Sequence, residues 1–152
     1  MKQSVLFNVL SLSLLLLFSC NDANTECVSD EIAITSLEEE YNCENTENLL
    51  DIDLEEAFAI ITTQDEFENK VLGDCAPQID FDSFDLLIGK KAFAQGNDSI
   101  AYQLVENCKS NVLQLSVVFL QNDTTEAPNL TYHVLLPKLE QNKTVEVTIV
   151  VQ

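Results

Sequence analysis

Residues Ile100 to Phe119, IAYQLVENCKSNVLQLSVVF, hold two alternating runs joined by one polar turn. Ile100, Tyr102 and Leu104 fall on one face of an extended segment. Leu113, Leu115, Val117 and Phe119 fall on one face of the next, opposite Gln114 and Ser116. A period of two is the signature of a half-buried strand, and Asn107 to Asn111 supplies the turn, so the stretch predicts an antiparallel pair. Upstream, Gly96-Asn97-Asp98 is turn chemistry, and Leu86-Leu87-Ile88 forms a strand that Gly89 is expected to bulge or bend. Downstream, the polar loop 121–129 leads to Leu130, Tyr132, Val134 and Leu136, a strand closed by Pro137. Val145, Val147, Ile149 and Val151 make the last strand, after a turn at Gln141-Asn142-Lys143.

The first half of the chain carries weaker patterns. Ile32 and Ile34 suggest a short strand, Leu50, Ile52 and Leu54 alternate with acids, and Ala57 to Ile61 reads as a central strand. Thr63-Gln64-Asp65-Glu66 matches a capping box, in which hydroxyl and carboxylate satisfy each other's backbone amides. A helix is predicted over about 64–72, with Gly73 as its stop. Six or more short strands, one short helix and no internal repeat define a mainly β (α+β) class. The expected architecture is an antiparallel β-sandwich or a strongly curved sheet carrying the helix at one side.

The only long apolar run lies near the start, from Val5 to Phe18 behind Lys2. It is short for a membrane span and has the order of a secretory signal peptide, assigned to residues 1–19. Leu17-Phe18-Ser19-Cys20 resembles the lipobox of bacterial lipoproteins, which implies acylation of Cys20 and a lipid anchor in the membrane. Residues 20–26 then form an acidic tether, and 27–152 one disulfide-braced β-rich domain. Asp22 and Glu26 behind the cysteine resemble the surface-export signal of Bacteroidetes-type lipoproteins. The expected location is the outer membrane, on its periplasmic or surface face.

Twenty-six acidic residues against seven basic ones give a net charge of −19, and arginine is absent. Such a chain is repelled by polyanions, so nucleic acid is not an expected partner. With Cys20 given to lipid, four cysteines remain: Cys27, Cys43, Cys75 and Cys108. An even number in an exported chain points to disulfides, whereas the wide spacings and the absence of a C-x-x-C pair argue against zinc. Of the three possible connectivities, Cys27–Cys43 with Cys75–Cys108 keeps each bridge within a local unit and is the expected one.

Chemistry-bearing motifs are few. His133, the one histidine, shares a strand face with Thr131 and Leu135, and no G-x-S-x-G pattern accompanies it, so it reads as an ordinary strand histidine. Asp80, Asp82 and Asp85 are weak calcium candidates, because calcium loops interleave carboxylates with glycine or asparagine and this group does not. No cofactor is expected. From Leu86 to Leu139 the chain resembles the PrcB family, named for a protein that stabilises a partner protease. The likeness lies in the Leu86-Leu87-Ile88-Gly89 strand, Ile100-x-Tyr102, Leu115-x-Val117 and the exit from Tyr132 to Pro137-Lys138. It implies a non-catalytic β domain that binds another protein. The alternative is a carrier or enzyme using a small-ligand pocket in the domain. A deep pocket with convergent polar groups would favour that alternative.

Overall fold

The computed structural model describes residues 29–152 except 55, 56 and 108. The signal segment 1–19, Cys20, the tether 20–26, Cys27 and Cys108 lie outside the described residues. The domain is mainly β, as its alternating sequence predicts. An outer sheet has the order β1-β6-β7-β9, from Asp30–Ile32, Asn97–Asn107, Val112–Gln121 and Thr144–Val151. A central sheet has the order β3-β5-β8, from Phe58–Ile61, Phe84–Ala92 and Asn129–Pro137. A ribbon of β2 (Leu50–Ile52) and β4 (Val71–Gly73) joins three short helices, α1 (Leu37–Tyr41), α2 (Thr46–Leu49) and α3 (Gln64–Lys70), in a third layer.

The β6–β7 hairpin forms in the predicted register, with Ile100 opposite Phe119 and Leu104 opposite Leu115. These side chains meet Leu87, Leu130, Tyr132, Val134 and Leu136 from the central sheet in an inter-sheet core. On the other face of the central sheet, Leu86, Ile88 and Leu135 pack with Leu37, Phe67, Ile52 and Val71 of the third layer. Strands β5 and β8 are thus buried on both faces. That explains why Leu86 to Ile88 reads as an unbroken apolar run and why β8 carries no acidic residue or lysine.

Several expectations are corrected. β9 pairs with β7 in parallel, so the outer sheet is mixed: after β7 the chain crosses to the central sheet as β8 and returns as β9. β3 is an edge strand of its sheet, not a central one. α3 ends at Lys70 because Val71 turns extended to pair with Ile52, leaving Leu72 63 % exposed on the ribbon. The Thr63 hydroxyl accepts from the Glu66 amide at 3.2 Å as predicted, but the Glu66 carboxylate accepts from Thr62 rather than Thr63. Two further helices accompany α3, and α1 has its own cap, with Ser36 Oγ accepting from the Glu39 amide. Gly89 sits in a regular ladder; the irregularity of register falls between Asn97 and Ser99. The absence of a side chain at Gly89 admits the Tyr132 ring, whose Cζ lies 2.2 Å from where a Cβ would stand.

The disulfide pairing is also corrected. Cys43 is bonded to Cys75, with Cα atoms 5.7 Å apart, which excludes both Cys27–Cys43 and Cys75–Cys108. Cys43 joins α1 to α2 and Cys75 follows β4, so both pack in the third layer. The end of β6 belongs to the outer sheet, with the central sheet between. Spatial layering, not sequence nesting, sets the partner.

Candidate functional site

The outer margin of β8 faces no described strand of its sheet, and the chain closes it with its own groups. Thr35 and Leu135 exchange backbone hydrogen bonds of 2.8 and 3.3 Å. The His133 amide donates to the Tyr102 hydroxyl at 3.2 Å, and the Thr131 hydroxyl donates to the Leu50 carbonyl at 2.6 Å. As the alternation predicts, Thr131, His133 and Leu135 share one side of β8, and all three are buried. The Cys43–Cys75 bond holds the linker between α1 and α2 against this face, and those helices bring Glu38 and Thr46 to His133.

The result is a directed hydrogen-bond chain. The Thr46 hydroxyl donates to Glu38 Oε1, and its oxygen lies 2.5 Å from His133 Nε2. With its proton committed to Glu38, the hydroxyl accepts from His133, which places a proton on Nε2. Glu38 Oε2 is 3.5 Å from the same nitrogen. Burial raises the Glu38 pKa, but the hydrogen bonds from His133 and Thr46 and the electrostatic attraction of the His133 ring outweigh it and lower the value to about 2. Burial likewise pushes the Tyr102 phenol well above its ordinary range.

These groups border a cavity of about 520 Å³. Ile34, Ile100 and Val134 supply its apolar wall, and the exposed Glu39 and Asn45 stand at its rim. Glu38, Glu39 and Glu47 contribute carboxylates and no lysine among the described residues lines it, so the cavity suits a cationic group. It does not have the geometry of a hydrolytic triad. A triad places the hydroxyl and the carboxylate on opposite imidazole nitrogens, whereas here both meet Nε2 and the buried Nδ1 has no partner among the described residues. The lone histidine, ordinary by its sequence context, is therefore the centre of a polar network. Its partners lie 87 and 95 residues away, and only Ser36 and Glu39, a capping-box pair, marked the helix that delivers Glu38.

The calcium candidates do not converge. Asp85 is 2 % exposed and gives one oxygen to Lys138 Nζ at 2.7 Å and the other to the Leu139 amide at 2.9 Å. Asp80 accepts from the Asp82 amide within its own turn, and Asp82 is exposed. Among the described residues no three His, Cys, Asp or Glu side chains form a metal-holding group. None of their helices is long and apolar enough to cross a membrane.

A second feature lies at the opposite margin of the outer sheet. β9 ends the sheet order, and no described strand covers the outer margin of its eight residues. In comparisons with known proteins, the chain matches no family model, no curated protein and no solved structure.

Proposed function

We propose that this chain is a bacterial lipoprotein, anchored to the outer membrane by lipid on Cys20, whose β domain binds a protein partner and carries out no catalysis. The observation supporting the binding role is the open margin of β9, in a domain that closes the comparable margin of β8 with its own chain. An uncovered strand is a template for another chain. The anchor rests on the lipobox-like Leu17-Phe18-Ser19-Cys20.

The test is crosslinking in living cells followed by mass spectrometry, comparing wild type with Cys20→Ala. Protein neighbours found with the anchored form and lost from Cys20→Ala are expected. The same neighbours without the anchor would show that tethering does not select the partner, and none in either form would refute protein binding. A second reading, favoured by the cavity beside His133, is a carrier of a small cationic ligand. Its volume falls within the range of about 300 to 1,000 Å³ common to ligand sites. Thermal shifts with small organic amines, present in wild type and absent in Glu38→Gln, would support that reading.

A further inference from the structure

The free margin of β9 has a definite chemistry. The Thr144 amide donates to the Asn111 carbonyl at 2.9 Å and the Gln152 amide to the Phe119 carbonyl at 3.0 Å, while the Gln152 carbonyl accepts from Gln121. In a parallel ladder, residues that bond a neighbour alternate with residues that point away from it. Even-numbered positions from Thr144 to Gln152 therefore face β7. The N–H and C=O groups of Val145, Val147, Ile149 and Val151 face outward, where the sheet has no further strand among the described residues.

Natural edges are blunted by proline, lysine, bulges or short length. β9 has none of these: it runs for eight residues in unbroken register, and every residue except Glu146 is β-branched. The side chains of Val145, Val147 and Ile149 pack on the inter-sheet core but stay partly exposed, because no described strand flanks them. An added strand would cover them on that side. On the other side of the sheet, its alternate residues would lie beside Glu146 and Thr148, both exposed.

Charge decides between occupants. A second copy would bring together two bodies of net charge −19, and Lys143, just before the strand, is already held by Glu106. A basic strand relieves this repulsion instead. We propose that β9 receives an extended segment of a partner protein in which apolar residues alternate with lysine or arginine. Its apolar residues extend the row of Val145, Val147 and Ile149, and its basic residues stand beside Glu146. This rests on the protein-binding reading above and adds the chemistry of the partner.

The probe is a synthetic peptide of alternating valine and lysine, matched to the eight residues of β9. A valine–glutamate peptide is its control, and both are titrated by calorimetry against the full mature protein. The valine–lysine peptide is expected to bind, more weakly as salt rises, and the glutamate peptide not to bind. Val147→Pro removes one outward N–H and leaves the bonds to β7 at even positions, and it should weaken binding about tenfold or more. Glu146→Lys, at an exposed position that does not threaten folding, should weaken it similarly.

Equal binding by wild type and both variants would overturn the inference, since it would reduce the effect to general charge attraction. A free protein that sediments as a dimer, and as a monomer once Val147→Pro is made, would also overturn it by showing a second copy on the margin. Peptide binding that behaves as expected, with no protein neighbour in cells, supports the inference and refutes only the cellular role.

Discussion

Replacing Glu38 with glutamine should destabilise the domain by an amount that depends on pH. The carboxylate has its pKa lowered from 4.5 to about 2, with burial opposed by hydrogen bonds from His133 and Thr46 and by the electrostatic attraction of the His133 ring. Taken at face value, that shift corresponds to about 3 kcal/mol. The Glu38 side chain is 38 % exposed, and solvent screening reduces the expected contribution to about 1 to 1.5 kcal/mol. A depressed carboxylate pKa means that the folded state favours the ionised form. The contribution is complete above about pH 4.5 and is lost as pH falls from there towards about 2. Urea unfolding of wild type and Glu38→Gln from pH 7 to pH 2 isolates it, since the other carboxylates are common to both. The difference in stability should be constant near neutrality and shrink towards zero in acid. A difference independent of pH, or one that grows in acid, would refute the assignment of an ionised Glu38 bonded to Thr46 and His133.

Other perturbations have equally definite outcomes. Gly89→Ala drives a Cβ into the buried Tyr132 ring and should cost about 1 to 3 kcal/mol in urea unfolding. Asp85→Ala leaves the Leu139 amide and Lys138 without their acceptor and should cost about 2 to 3 kcal/mol, whether or not calcium is added. Reducing the Cys43–Cys75 bond, which spans 32 residues, should lower stability by about 3.5 to 4 kcal/mol in the chain-entropy model. Non-reducing peptide mapping should recover Cys43–Cys75 and neither Cys27–Cys43 nor Cys75–Cys108.

The β6–β7 hairpin was legible because its signal is local: two runs of period two and a turn rich in asparagine. β8 and β9 alternate just as clearly, yet nothing in the turn between them tells the chain to change sheets. The clue is in burial. β8 is apolar or uncharged on both faces and can occupy a middle layer, whereas β9 keeps Glu146, Thr144 and Thr148 on one face and must lie outside. Capping chemistry locates the start of α3, and the same chemistry at Ser36 and Glu39 marks the start of α1. The end of α3 depended on Val71 pairing with β2, a tertiary contact invisible in the local sequence. His133, Thr46 and Glu38 meet only because β8 passes beneath the third layer, and Cys43 finds Cys75 for the same reason. Local pattern thus announced the strands, while the order of layers decided the site.

Amide hydrogen exchange along β9, followed residue by residue by NMR in the free protein, tests the open margin most directly. The amides of Val145, Val147, Ile149 and Val151 should exchange rapidly, and those of Glu146, Thr148 and Val150 slowly, because only the latter point towards β7. Uniform protection along the strand would mean that another chain already covers it, and would contradict the proposal that β9 is held open for a partner.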